Sequence, residues 1–361
     1  MDKTVKQKTL LPYDRYYGNN LDTVLICLGL LALTFTHYGK AVLYQAAACV
    51  LSGALWEFVF FTLILRKNTF RSLGVTASAL IITMLLPASA PLYIGALAVF
   101  LAAVTMLIFR DGRSTPLVPA AVGFCAVALI FPAEVFTYPV PSADGVLFYA
   151  QQGFTKGIDL LTQISDGKGV SLSLFGISSL LSGGIPGAIG TTSLLAMAGI
   201  FLYRLIRSPR SLISTVFYLA PSVAFAVLMP RLNTDPVTVL ITEISAGSLL
   251  FTALMLINEP VTSPQRAFRA ALYGLTAGAL TMVLRYYTPL YDSPLFALLI
   301  MNILWPLISR ETVNHRRLPK EKKKKVKAVR EKAPTKKSKK DYTPSYDLFS
   351  EKAEREVTHE G

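Results

Sequence analysis

Residues 92–109 read LYIGALAVFLAAVTMLIF, an uninterrupted run without a single charged side chain. A helix of this length nearly covers the hydrocarbon core of a bilayer, which is about 30 Å thick. The run also lacks the polar face that a helix on the surface of a soluble bundle would need. It therefore predicts a membrane-spanning helix, and the rest of the chain is interpreted outward from it.

Similar apolar runs recur along the chain, separated by short polar loops. Of the 361 residues, 52% are hydrophobic and only 16% are charged, a composition typical of a polytopic membrane protein. The predicted fold class is all-α, with ten transmembrane helices between an N-terminal segment, 1–21, and a tail, 310–361. The predicted spans lie near residues 22–38, 43–65, 73–88, 90–109, 116–132, 187–206, 211–229, 237–257, 267–284 and 293–309.

The distribution of basic residues predicts the orientation. With the N-terminus inside, 31 of the 36 Lys and Arg residues fall on the cytoplasmic side. The five in outside loops are Lys40, Lys156, Lys168, Arg231 and Arg285. Cytoplasmic loops of membrane proteins carry such an excess of Lys and Arg. We therefore expect a multi-pass protein of the inner membrane with both termini in the cytoplasm.

A long segment, 133–186, is predicted to lie outside and divides the spans into five and five. Within it, Ser171–Ser182 is apolar but short, which predicts an interfacial or re-entrant helix. Because five is odd, two equivalent halves would have opposite orientations and are candidates for inverted repeats, which place a site between the halves. The halves show no clear sequence similarity, so the suggestion is geometric only.

The tail that follows the last span is rich in lysine, from Lys320 to Lys327. It is interpreted as held on anionic lipid near the membrane and disordered beyond it. No nucleic-acid-binding module accompanies it, so lipid and not nucleic acid is the expected partner. The sequence also contains no recognisable catalytic set, phosphate-binding loop or metal-ligand spacing, so no catalytic or metal-binding residue is assigned.

A glycine-rich stretch, Gly183–Ser193, stands at the predicted start of the sixth span. Glycines allow close approach of a ligand or another helix, and the free N–H groups of a helix start favour an anion. Small-residue helix packing is an equally good explanation. The candidate cofactor-binding residues in this stretch are Gly187, Gly190, Thr191, Thr192 and Ser193.

Three further features stand out from the apolar background. Asn258–Pro264 contains two prolines and a carboxylate, which indicates a shaped loop, although an ordinary helix stop explains it as well. Glu57 and Glu243 lie at membrane depth, where an ionisable group is costly and marks a candidate ion or proton path. Glu243 is nearer its span end, so partial solvation is the competing explanation.

The motifs, in their order and spacing, resemble one family, the membrane component shared by Rnf complexes (RnfD) and sodium-pumping NADH:quinone reductases (NqrB). Pro186–Ser193 read PGAIGTTS, similar to the family's PGSIGETS. Glu259–Pro264 read EPVTSP, similar to DPVTSP. Phe296–Ile308 read FALLIMNILWPLI, similar to the family's last span, and Tyr273-Gly274 also fit.

The resemblance implies ten spans and electron transfer coupled to Na⁺ or H⁺ movement, together with other subunits of an Rnf-like complex. It also implies an FMN joined to a threonine in an outward-facing DGxSGATPL element. Here the matching residues are Asp144–Gln152, with Ala150 at the acceptor position, or in a second placement Asp166–Leu172, with Leu172 there; neither supplies the hydroxyl. Thr191 stands where the family has Glu. FMN or riboflavin is therefore expected without a covalent link, or a partner supplies the missing carrier.

Two alternative functions remain open at this point. The same scaffold could serve as a transporter or channel-like protein without redox chemistry, since inverted halves and glycine-broken helices suit that class. It could also be a noncatalytic scaffold whose basic tail recruits a cytoplasmic partner.

Overall fold

The computed structural model describes residues 13–60, 73–109, 115–141, 155–165, 174–232, 235–264, 266–288 and 290–308. These residues belong to one compact unit, Met1–Thr312, and are almost entirely helical. The helices are α1 (Tyr13–Tyr38), α2 (Lys40–Glu57), α3 (Gly74–Leu85), α4 (Leu92–Ile108), α5 (Pro119–Ile130), α6 (Pro132–Val135), α7 (Leu160–Ser165), α8 (Leu174–Ser182), α9 (Leu194–Arg207), α10 (Leu212–Leu228), α11 (Pro236–Ser245), α12 (Leu249–Phe251), α13 (Ala267–Tyr287) and α14 (Ser293–Ile308).

The helices support a multi-pass membrane protein. Four segments are long and apolar enough to cross a bilayer, and α11 with α12 and its extension to Leu256 form a bent pair that also passes this test. Four shorter helices, α3, α4, α5 and α14, are equally apolar. The four long segments are Tyr16–Tyr38, Lys40–Phe60, Pro209–Leu228 and Ala267–Tyr287.

Within the described residues each predicted span coincides with helical structure, although α9, at the sixth, is not among the segments that pass the span test, and two of the predicted spans differ in detail. The eighth is not one continuous helix, because α11 and α12 meet at a break with a 67° bend. Gly247 allows this break, since its φ of 65° is costly for other residues. The sixth span begins at Leu194 instead of residue 187, because Pro186–Ser193 form turns.

Close backbone contacts hold the bundle together. A Cβ added to Gly274 or Gly278 of α13 would lie 2.4 Å from the carbonyl oxygen of Ser214 and 2.1 Å from that of Tyr218, both on α10. Gly123 of α5 approaches Ala98 of α4 in the same way, at 2.2 Å. Small residues at helix crossings allow the van der Waals contact that drives association in lipid.

The same packing order occurs twice along the chain. In the first half α4 packs against both α2 and α5, and α3 packs on α2. In the second half α13 packs against both α10 and α14, and the helical turn Thr252–Leu256 that follows α12 packs on α10. The order of the helices along the chain is the same in both halves, which indicates an internal repeat.

Aligning the halves on this packing exposes a sequence repeat. Pro87 and Pro260, Pro91 and Pro264, and Thr115-Pro116-Leu117 and Thr288-Pro289-Leu290 are each 173 residues apart. Gly74 and Gly247 have the same separation. Gly74 is the first residue of α3, and Gly247 lies two residues before α12. These shared residues lie at corresponding positions of the packing repeat, a correspondence that becomes visible only once the helix pairing is known.

Candidate functional site

The glycine-rich stretch packs against the end of α3. The backbone N–H groups of Ile189 and Gly190 donate to the carbonyl oxygens of Leu86 (3.0 Å) and Met84 (2.7 Å). A helix end leaves such carbonyls without partners, and here another segment supplies them. A Cβ on Gly190 would lie 2.6 Å from the Cβ of Met84, so close packing explains this glycine.

Ser193 has a helix-capping role. Its hydroxyl oxygen accepts from the N–H of Ala196 (3.2 Å) at the start of α9 and donates to the carbonyl of Leu181 (2.9 Å). A serine in this position satisfies one of the free N–H groups of a helix. Of the five predicted cofactor residues, Gly187, Thr191 and Thr192 face a cleft instead, while Gly190 and Ser193 serve packing and capping.

That cleft, named here the Asp292 cleft, lies near the end of α1, since the hydroxyl of Tyr38 contacts the carbonyl of Ile185 on its wall (3.4 Å). The space open to a water-sized sphere is about 20 Å³. Its polar lining residues are Tyr138, Asp159, Thr191, Thr192, Ser245, Ser248, Tyr291 and Asp292.

Two buried carboxylates mark the Asp292 cleft. Asp159 accepts from the hydroxyl of Thr162 (2.6 Å), the N–H of Leu161 (3.0 Å) and the hydroxyl of Tyr291. Asp292 accepts from the hydroxyl of Ser248. Burial raises the pKa of Asp292 to about 6, although the Ser248 hydroxyl and the positive charge of Arg285 favour its ionised form.

Glu243 lies beside this cleft in a network of charges. It is fully buried and accepts two hydrogen bonds from Arg231, at 2.9 and 3.1 Å. Arg285 adds a longer contact to the carboxylate, 3.4 Å, and the hydroxyl of Tyr286 lies 3.3 Å away. The guanidinium of Arg231 also lies 4.3 Å from the ring centre of Tyr286. Glu243 is thus neutralised by two arginines instead of being solvated.

Glu57 is buried at the end of α2, with 2% of its surface exposed. The preceding residue, Trp56, stacks on Phe60 and Phe100 with ring centres 5.1 and 4.6 Å apart. The structure therefore places Glu57 on α2 of the first half and Glu243 on α11 of the second. The partners of Glu243 given above all belong to the second half.

A second cleft, named here the Glu259 cleft, lies near the start of α1. It is lined by Tyr16, Asn20, Thr23, Gly74, Ala77, Ser78, Ile81, Met106, Thr115, Val118, Pro119, Ala120, Glu259 and Val261. Burial raises the pKa of Glu259 to about 7, against the opposing charge of Arg204. The space open to a water-sized sphere is again about 20 Å³. The Asn258–Pro264 segment is therefore a shaped loop that carries a carboxylate into a cleft.

The two clefts occupy equivalent positions in the repeat. Gly74, Val118 and Pro119 line the Glu259 cleft, and the residues 173 positions later, Gly247, Tyr291 and Asp292, line the Asp292 cleft. One lies near each end of α1. The repeat thus supplies the chain with two related clefts whose linings have diverged.

Several residues of these sites were not singled out from the sequence. Arg231 and Arg285 had been counted only as basic loop residues, yet Arg285 lies within α13 and is buried. The available signal was that Arg285 directly follows the apolar run that ends at Leu284. Asp159 and Asp292 gave none, because their meeting depends on how α7 and the start of α14 pack. Ala150 lies outside the described residues.

Comparison with known proteins identifies the family. The sequence profile described as the NQR2, RnfD, RnfE family matches residues 14–317. A relative from Acetobacterium woodii, named as the D component of a Na(+)-translocating ferredoxin:NAD(+) oxidoreductase complex, is 24% identical over 81% of this chain and 87% of its own length.

Two further relatives are named as the D component of an ion-translocating oxidoreductase complex. The one from Mannheimia succiniciproducens is 26% identical over 76% of this chain and 86% of its own length. The one from Halorhodospira halophila is 28% identical over 63% and 70%. The profile spans nearly all of the helical bundle, and the chain therefore belongs to the NQR2, RnfD, RnfE family of multi-pass membrane proteins.

Proposed function

We propose that this chain is the RnfD-type membrane component of an Rnf-type ion-translocating oxidoreductase complex. In this role, flavin-linked electron transfer would be coupled to the movement of Na⁺ or H⁺ across the bilayer. The observation that carries the proposal is the family match over residues 14–317, which includes both halves of the repeat and both clefts. The relatives named above are parts of complexes, which supports partners of the same kind for this chain.

The proposed membrane architecture is ten spans in two inverted halves, in the inner membrane, with both termini in the cytoplasm. The correspondence at a separation of 173 residues supports two equivalent halves. The long segment between α5 and α9 divides the predicted spans into five and five, which is an odd number in each half. Two halves of opposite orientation place equivalent positions on opposite sides of the membrane. The positions of the Asp292 and Glu259 clefts, near opposite ends of α1, agree with this arrangement.

We propose that Glu57 and Glu243 both lie on the ion path and that they have different roles there. Glu243 keeps its charge matched by two guanidinium groups, which favours a fixed charge over one that binds and releases an ion. Glu57 is buried at the end of α2 and is the better candidate for exchange. Replacing Glu57 by Gln should lower coupled ion transport while electron transfer continues.

The flavin that the resemblance implies does not fit either cleft in this conformation. A space of about 20 Å³ holds one or two water molecules and not an isoalloxazine ring. No electron-transfer step is therefore assigned to the residues of the clefts. We propose that FMN or riboflavin is held without a covalent link to this chain, or that a neighbouring protein of the complex supplies the missing carrier.

The deciding experiment compares native membranes with and without this chain. Donor-driven Na⁺ or H⁺ uptake into inverted vesicles should disappear on deletion and return with the wild-type chain, and flavin-bearing proteins of the complex should copurify with it. In-gel flavin fluorescence of the isolated chain should be absent after coexpression with a flavin transferase. Purification of the chain alone, without flavin or partners, would contradict the proposal.

The alternative is a transporter or channel-like protein on the same scaffold. The broken helix between α11 and α12 favours it, because discontinuous helices are typical of transporter binding sites. Solute flux in proteoliposomes that contain this chain and no electron donor would establish that function.

A further inference from the structure

The break between α11 and α12 exposes backbone oxygens inside the protein. A helix end leaves its last carbonyl groups without helical partners. Here the carbonyl oxygens of Glu243 and Ala246 face the same point, and the carboxylate oxygen Oε2 of Glu243 lies beside them. Three oxygens that carry partial or full negative charge thus converge at the centre of the second half.

Arg285 of α13 fills this point. Its Nη1 atom donates to the carbonyl of Glu243 (2.8 Å) and approaches Oε2 of the same residue (3.4 Å), and its Nη2 atom donates to the carbonyl of Ala246 (2.9 Å). The side chain is 3% exposed. A single planar cation therefore satisfies two of the carbonyl groups at the interrupted helix.

The short hydrogen bonds of Arg285 do not go to the carboxylate of Glu243. Arg231 already makes two shorter hydrogen bonds to that carboxylate, at 2.9 and 3.1 Å. The two short bonds of Arg285 go instead to the carbonyls of the helix end, which carries partial negative charge. The position of Arg285 is therefore determined by the two carbonyl oxygens and by Oε2 of Glu243, which together are named here the oxygen cage.

We propose that this cage is a site for a monovalent cation and that Arg285 occupies it permanently with a tethered guanidinium. Carbonyl oxygens at the C-terminal end of a broken helix, together with a carboxylate, are the oxygen donors that Na⁺ accepts in membrane proteins. While Arg285 is in place, no mobile cation binds at the break. The inference concerns this chain alone and does not rest on its proposed role in electron transfer.

The test is cation-dependent stability of the full-length chain in detergent. Arg285→Ala is expected to melt at a lower temperature than wild type in choline chloride. Its Tm should then rise with the logarithm of added NaCl, KCl or low-millimolar guanidinium chloride, at constant ionic strength, because a ligand of the folded state stabilises it. Wild type should show no such cation-specific rise, and direct binding of radioactive Na⁺ should appear in the variant only.

Arg231→Ala is the matched control. It removes a guanidinium from the same carboxylate but leaves both carbonyl oxygens covered by Arg285. We expect it to be destabilised without gaining a response to Na⁺ or K⁺. A response of Arg231→Ala equal to that of Arg285→Ala would show that the carboxylate alone binds the cation and would overturn the proposal.

A folded Arg285→Ala variant with the same Tm in Na⁺, K⁺, guanidinium and choline would also overturn it. If this variant yields no folded protein in choline, solubilisation in Na⁺ or low-millimolar guanidinium should recover it, and failure to recover it counts against the proposal. Arg285→Gln provides a second variant, since its amide can reach at most one of the carbonyls. A Tm of Arg285→Gln that does not change with the cation would refute the proposal as well.

Discussion

The backbone of Gly278 in α13 lies so close to α10 that a Cβ there would stand 2.1 Å from the carbonyl oxygen of Tyr218. The Tyr218 hydroxyl pairs at 2.9 Å with that of Thr281, one turn further along α13. The crossing of these two helices is thus closed by a glycine and by a buried hydrogen bond. Such crossings hold helices together in lipid, where no hydrophobic force favours association.

Gly278→Ala should therefore separate α10 from α13 and destabilise the protein by about 2 kcal/mol, the usual cost of overpacking. The measurement is the thermal melt of the purified chain in detergent. Gly199→Ala, in α9, is the control, because its Cβ would meet nothing within 4 Å. Equal melting temperatures for Gly278→Ala and wild type would show that the crossing can open without loss.

Glu243→Gln should cost about 3 kcal/mol, because it leaves two guanidinium groups without their shared counter-charge. The partners are Arg231 and Arg285, whose side chains are 24% and 3% exposed. Unfolding in a denaturing detergent measures the loss. The double variant Glu243→Gln with Arg231→Gln should recover part of it, since one unpaired charge is removed. A double variant less stable than the single one would disprove this pairing.

Stability should fall as the pH rises through the titration range of Glu259. Burial raises the pKa of this carboxyl from 4.5 to about 7, so between these values the folded protein holds a proton that the unfolded chain has released. Glu259→Gln should remove this part of the pH dependence and be more stable than wild type above pH 7. The two proteins should converge near pH 4.5. Parallel melting curves from pH 5 to 8 would contradict the assignment.

Asp292→Asn serves as the companion variant on the other cleft. The pKa of Asp292 is raised from 3.8 to about 6, again by burial. The pH-dependent part of the stability that Asp292→Asn removes should therefore lie at lower pH than that of Glu259, and should be complete by about pH 6. A difference that continued to grow between pH 7 and 8 would point to another titrating group.

Labelling of single cysteines tests the proposed orientation. Cysteines replacing Lys67 and Arg207 should react with an impermeant reagent from the same side, and a cysteine at Lys156 should react from the other. The native Cys27, Cys49 and Cys125 are buried and give little background. Reaction of Lys67→Cys and Arg207→Cys from opposite sides would remove the inverted-halves proposal.

The sequence was sufficient to predict where the helices lie, because in lipid an apolar run must satisfy its own backbone and becomes helical. It did not predict the break at Gly247. A glycine within an apolar run is compatible with a straight helix. The contact that requires this glycine, Leu161 of α7 at 2.8 Å from where a Cβ would be, joins segments that are distant in sequence.

The candidate site was predictable only in part. Motif spacing pointed to Pro186–Ser193 and Glu259–Pro264, and the structure brings members of each to a cleft. The roles of Gly190 and Ser193 could not be predicted, because they depend on contacts with Met84 and Leu181. Arg285 was wrongly predicted to be a loop residue because the end of an apolar run does not mark the end of a helix.

The divergence between the two repeats has a consequence for direction. If two halves with opposite orientations were identical, the protein would look the same from the cytoplasm and from outside, and nothing in it would distinguish inward from outward movement. Val118 and Pro119 are apolar, while their counterparts Tyr291 and Asp292 are a hydroxyl and an acid. In the proposed inverted arrangement this difference makes the two faces chemically unequal, which is the minimum that the proposed one-way ion movement requires.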